Sequence, residues 1–115
     1  MATILLVEYE GASLERRRGL STAGHKVTSA RNFAEALGAI EFGKHDVVVL
    51  GHDLPQQERN RLAAAAKKAS PAIRVLVLYS ATVHHAELAD ALINTTASAE
   101  DLRRTVEYLV GSRTP

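Results

Sequence analysis

The chain has 115 residues, 46% of them hydrophobic, with 14 basic against 13 acidic side chains and no cysteine. That length fits one domain with its own core. The charge balance excludes a broad field for holding nucleic acid, and the missing cysteines exclude disulfides, thiolate metal sites and a cysteine nucleophile. An aromatic content of 4% offers no stacking platform for bases. No apolar run approaches the ~20 residues of a membrane span, and the start turns acidic at Glu8, too early for a signal peptide. A cytoplasmic protein with neither membrane nor direct nucleic-acid contact is expected.

Thr3 to Val7 is a continuous apolar run, the pattern of a strand buried on both faces. Ser13 is placed to cap a helix running to about Ala23, and Gly24 to supply its left-handed C-terminal position. Arg16, Arg17 and Arg18 on that helix read as a solvated face, with a partner contact as the alternative. His25 to Ala30 forms a second strand. Asn32 caps a helix from Phe33 to Phe42, whose Phe33, Ala36, Leu37 and Ile40 share one face. Val47 to Leu50 is a third strand. A helix after Pro55 carries Leu62, Ala65, Ala66 and Ala69 on one stripe and ends at Ser70-Pro71. Ile73 to Leu78 is a fourth strand, Val83 to Leu88 a short helix, and Leu92-Ile93 a short fifth strand. Ser98 with Asp101 has capping-box spacing, opening a last helix with Leu102, Val106, Leu109 and Val110 inward. Residues 1–112 make a single domain and 113–115 a tail.

Strands alternating with helices at short spacing predict an α/β domain with a parallel sheet. Five such units fit a flavodoxin-like (βα)5 three-layer sandwich of strand order 2-1-3-4-5, with its crevice at the C-terminal strand ends.

Several segments carry a resemblance. Ile4-Leu5-Leu6-Val7-Glu8-Tyr9-Glu10 is similar to the opening I-L-L-V-D-D-E of the response-regulator receiver (CheY-like) family. Ala23-Gly24-His25-Lys26-Val27, Asn32-Phe33-Ala34-Glu35-Ala36-Leu37, the approach to strand four from Ser70 and the start of the last helix at Ser98 resemble its later segments in order and spacing. Asp46 to Pro55 resembles its third strand, where a D-x-x-L/M-P motif presents the phosphate-accepting aspartate.

The resemblance implies a pocket with two acids for Mg²⁺, an acceptor aspartate, a hydroxyl and a lysine. Carried over by position, Glu8 keeps the first acid. Tyr9 replaces the second, and a neutral phenol is a poor Mg²⁺ ligand. Gly51 stands at the acceptor position. Tyr79 falls at the switch hydroxyl with Ser80 beside it, and Thr95 and Thr96 replace the Lys-Pro pair. The interval from Tyr79 to Thr95 is roughly six residues short, so the fourth helix loses more than one turn of ~3.6 residues. The sequence therefore reads as a degenerate member, a pseudo-receiver. It is expected to act in two-component (phosphorelay) signalling without catalysis of its own. Its contacts would be with signalling proteins: a histidine kinase, an output domain or another regulator. In the family the face of helix four, strand five and helix five commonly forms homodimers; the shortened helix puts that mode in question and leaves the arginine-bearing first helix as an alternative contact.

Two other readings stay open. In one, Asp53, two residues past the lost acceptor, is phosphorylated with Mg²⁺; the plainer role for Asp53 is a loop or cap carboxylate before the third helix. In the other, the altered pocket senses a small ligand or a metal, with Glu8, Glu10, Asp53 and His52 as ligand candidates and His84 and His85 on nearby loops. No metal or cofactor is otherwise expected. His25 and His45 read as solvent-facing turn residues. Tyr9 and Tyr79 either stack over Gly51 and plug the former pocket or lie exposed at its rim.

Overall fold

The computed structural model describes residues 2–9, 14–79, 89–94 and 99–111. Five strands, β1 (Thr3–Val7), β2 (Lys26–Ala30), β3 (Val47–Leu50), β4 (Arg74–Tyr79) and β5 (Ala91–Asn94), form one parallel sheet of order β2-β1-β3-β4-β5. Four helices, α1 (Leu14–Thr22), α2 (Phe33–Phe42), α3 (Gln56–Ala69) and α4 (Ala99–Gly111), cover it. This is the three-layer α/β architecture expected from the alternation of elements. The short helix foreseen at 83–88, and the caps assigned to Ser13 and Ser98, lie outside the described residues.

Burial follows from strand position. The central strands β1 and β3 are buried almost throughout, as their unbroken apolar runs require. The edge strands β2 and β5 alternate instead. Because side chains alternate across a sheet, each central strand feeds two cores. Leu5, Val7, Val48 and Leu50 pack with Ala36 and Ile40 of α2 and Leu62, Ala63 and Ala66 of α3. Ile4, Leu6, Val47 and Val49 pack with Leu20 of α1 and Leu102, Val106 and Leu109 of α4.

Local signals set the boundaries. Gly24 takes φ +94° after α1, a left-handed conformation that favours glycine. The side chain of Asn32 accepts the Glu35 amide at 2.8 Å, and Glu35 returns the favour by accepting the Arg31 amide at 3.0 Å. The inward stripe of α3 differs from expectation. It runs through Arg59, Leu62, Ala63 and Ala66, while Ala69 is exposed.

Two histidines also depart from the sequence reading. His25 is buried: its Nδ1 accepts the Ala2 amide at 3.0 Å, which leaves the proton on Nε2, 3.2 Å from Glu107 Oε2. It joins the start of β1 to α4 across the turn after α1. His45 is half-buried, and burial, with Lys26 adding to it, holds its pKa below the ordinary value despite the pull of Asp46. Both sit at turns, but each turn is folded against its neighbours.

β1 leads to β2 on one side while β3 lies on the other, so the direction in which strands are added to the sheet reverses between β1 and β3. Val7 pairs with Ala30 and with Leu50 there. In open α/β sheets this switch point, at the C-terminal strand ends, opens the ligand crevice. We call this end the mouth and the opposite end the foot.

Candidate functional site: the mouth of the sheet

Glu8 follows β1 directly, and its amide still donates to the Ala30 carbonyl at 3.1 Å. By alternation it points to the same face as Ile4 and Leu6, toward α1. It is only 4% exposed. Arg16, in the first half of α1, reaches down onto it, with Nη1 2.5 Å from Glu8 Oε1. Arg17 and Arg18 are exposed. The arginine run is thus not one solvated face: successive helical residues are about 100° apart, and Arg16 lies four residues before the buried Leu20, on the same inward stripe.

Burial pushes the Glu8 carboxyl above its ordinary pKa. The Arg16 guanidinium opposes this, the nearby Asp53 adds to it, and His52 opposes it.

Tyr9 has the opposite parity and leans toward α2 and α3, where it packs on that core. Its hydroxyl donates to Glu58 Oε1 at 2.7 Å. Burial first, then the bond and the charge of Glu58, raise the phenol pKa far above ordinary. A phenol so held is a donor, not a metal ligand.

Gly51 ends β3, buried, with its amide donating to the Val7 carbonyl at 2.8 Å. A Cβ placed on it would lie 2.7 Å from Glu8 Cγ, 2.9 Å from the Val7 carbonyl oxygen and 3.0 Å from Asp53 Oδ1. Glycine is required here by close approach of the backbone of β1. The same distances correct two expectations. The space over residue 51 is taken by Glu8 and Asp53, not by the rings of Tyr9 or Tyr79. And Asp53, though it lies in the loop before α3 as expected, does not cap the helix: the cap residue is Pro55, with no side-chain bond to the helix. Instead Asp53 turns back over Gly51.

Tyr79 is half-buried at the end of β4, in register with Asn94 of β5. His52 is exposed beside the pair of acids. Glu10, Ser80, His84, His85, Thr95 and Thr96 lie outside the described residues. The structure therefore brings together Glu8, Gly51 and Asp53. It adds Arg16 and Glu58, which the sequence reading did not single out. The signal for Arg16 was its spacing to Leu20, hidden because α1 carries few other apolar residues. Glu58 carried none.

Mg²⁺, the ion that the resemblance to receivers implies, prefers several oxygen ligands. The residues present do not fit it. Glu8 is engaged by a guanidinium, Tyr9 donates its proton to Glu58, and Gly51 has no side chain. Among the described residues no three His, Cys, Asp or Glu side chains cluster as a metal site.

No sequence-family profile matches the chain, and no curated protein matches its sequence. Solved structures do match. The response regulator receiver domain protein (CheY-like) from Methanospirillum hungatei JF-1 superposes with a TM-score of 0.87 at 22% identity, covering 98% of this chain and 96% of that one. The response regulator receiver protein from Sinorhizobium medicae WSM419 gives 0.86 at 21% identity, over 96% and 95%. The receiver domain protein from Clostridium thermocellum gives 0.83 at 20% identity, over 98% and 97%. The fold is the CheY-like receiver fold, present over nearly its full length. Among the described residues no helix is long and apolar enough to cross a membrane.

Proposed function

We propose that this chain is an atypical receiver domain, acting in two-component signalling through protein contacts and without phosphorylation of an acceptor aspartate. One observation carries the reading: the position that ends β3 at the switch point has no side chain, and the volume beside it is closed by Glu8, Asp53 and the backbone of Val7. Phosphoryl transfer is largely positioning and charge neutralisation, and Tyr9 and the arginine-bound Glu8 leave little of either. The fold itself needs apolar strands and helix stripes, not the acid pocket, so it persists without the chemistry. The proposed partners are a histidine kinase, an output domain or another regulator, in the cytoplasm, and the domain catalyses nothing itself.

A second reading, phosphorylation of Asp53, is favoured by one fact: Asp53 stands beside Glu8 at the mouth. Incubation with Mg²⁺ and acetyl phosphate, or with beryllofluoride, separates the two. We expect no mass gain and unmoved amide signals at residues 7–9 and 50–54. A gain of one phosphoryl group, lost in Asp53→Ala, overturns the first reading in favour of the second.

A further inference from the structure

The acid pocket of this fold ordinarily calls for a cation from solution. Here a cation is already present, covalently attached. Arg16 Nη1 lies 2.5 Å from Glu8 Oε1, and the two side chains are 17% and 2% exposed. A carboxylate so buried is stable as an anion only with a partner charge. Arg16 is the first such partner acting on Glu8. Glu8 in turn sits against Asp53 over Gly51. The guanidinium thus holds Glu8, one of the two acids at the mouth.

We propose that Arg16 is the built-in cation of the mouth, standing in for the divalent ion and tying α1 to the end of β1. The inference deepens the reading of the domain as an atypical receiver and rests on it only for the location of the pocket. Its consequence is mechanical. In a receiver that takes its cation from solution, the charge at the mouth comes and goes with the ion. Here the charge arrives on a helix, so a partner that shifts α1 would draw it away from Glu8, and a cation that binds Glu8 must first displace the Arg16 guanidinium. Arg17 and Arg18, exposed one and two residues on, give such a partner a grip on the same helix.

The test is a divalent titration of the full chain. Thermal unfolding and Mn²⁺-induced NMR broadening are followed for the wild type, Arg16→Met and Arg16→Lys. The wild type is expected to show no change in Tm up to millimolar Mg²⁺ or Mn²⁺. Arg16→Met melts lower at neutral pH, gains about 5 °C with saturating Mn²⁺, and shows broadening confined to residues 7–9 and 50–54. Arg16→Lys keeps the charge and stays insensitive to the ion. If Arg16→Met proves too unstable to titrate, the lysine variant decides by comparison with Arg16→Gln. A wild type that binds Mn²⁺ at the mouth as tightly as the variants overturns the proposal, and so does a neutral variant that gains nothing from the ion. These results are independent of the phosphorylation assay. A phospho-Asp53 adduct would sink the functional reading while leaving the arginine's response to metals as the separate measure of this one.

Discussion

Acidic side chains stand at both ends of this sheet, and they are held in opposite ways. At the foot each is tied to backbone. Asp46 Oδ2 accepts the Thr3 amide at 2.8 Å, and its own amide donates to the Thr3 carbonyl at 2.7 Å. Asp90 Oδ2 accepts the Val75 amide at 2.6 Å and the Lys67 ammonium at 2.7 Å, while Lys67 also donates to the Ile73 carbonyl at 2.7 Å. These carboxylates finish the hydrogen bonding of strand ends and fix register. At the mouth the Glu8 carboxyl meets side-chain charges: Arg16, Asp53 and His52. A contact made to backbone is bound to the fold, whereas one made between side chains can be rearranged without unfolding it. The foot is construction; the mouth is where a difference in state can be expressed. A cleft of about 410 Å³, lined by Lys44, His45, Asp46 and Ser70 among others, opens at the foot.

That contrast can be broken by substitution. The largest effect is expected for Gly51→Asp, which restores an acid to the end of β3. Its Cβ meets the Val7 backbone at 2.9 Å, and overpacking together with a further buried negative charge should cost about 3 kcal/mol. Denaturant unfolding measures it, and a loss below about 1 kcal/mol would show that the mouth is roomier than described. Next comes the foot. Asp90→Ala removes the acceptor of one strand amide and one ammonium and the ion-pair partner of Arg74, a loss of about 2 kcal/mol, with amide exchange quickening first at Val75. An unchanged exchange rate there contradicts the structural role given to Asp90.

The smallest effect is a pH slope. Burial holds the Glu8 carboxyl above its ordinary value of 4.5, so the folded chain keeps a proton that the unfolded chain has released. Stability contributed at this site is therefore greatest in acid and falls as pH rises from 4.5 through the folded value. Glu8→Gln lacks the term. The stability of the variant relative to wild type should rise between pH 4.5 and neutrality; a flat difference would mean that Arg16 cancels the burial cost outright.

Much of the fold was legible because it depends on residue type and period. Apolar runs marked β1, β3 and β4, Gly24 marked the end of α1, and Asn32 marked the start of α2. Residue 51 was legible too, because the motif around it fixes the strand end. What escaped were pairings. His25 meets Glu107 across 82 positions, and nothing local distinguishes it from an exposed turn histidine. Arg16 lies among three identical letters of which one turns inward. Asp53 has the composition of a helix cap, yet Pro55 takes that place and the carboxylate folds back over Gly51. Partnership is a property of three-dimensional proximity, and a single sequence records only one side of it.

The crowding at Gly51 has a consequence for how such a sequence can change. A shorter side chain at 8 would relieve the 2.7 Å approach of a Cβ on residue 51 to Glu8 Cγ, but not its 2.9 Å approach to the Val7 carbonyl oxygen, so the two positions are coupled only in part. A substitution at 51 should look harmful whatever stands at 8, and pairing it with a shorter residue there should recover only part of the loss. A mutational scan of one position at a time would miss the part of that constraint which the two sites share.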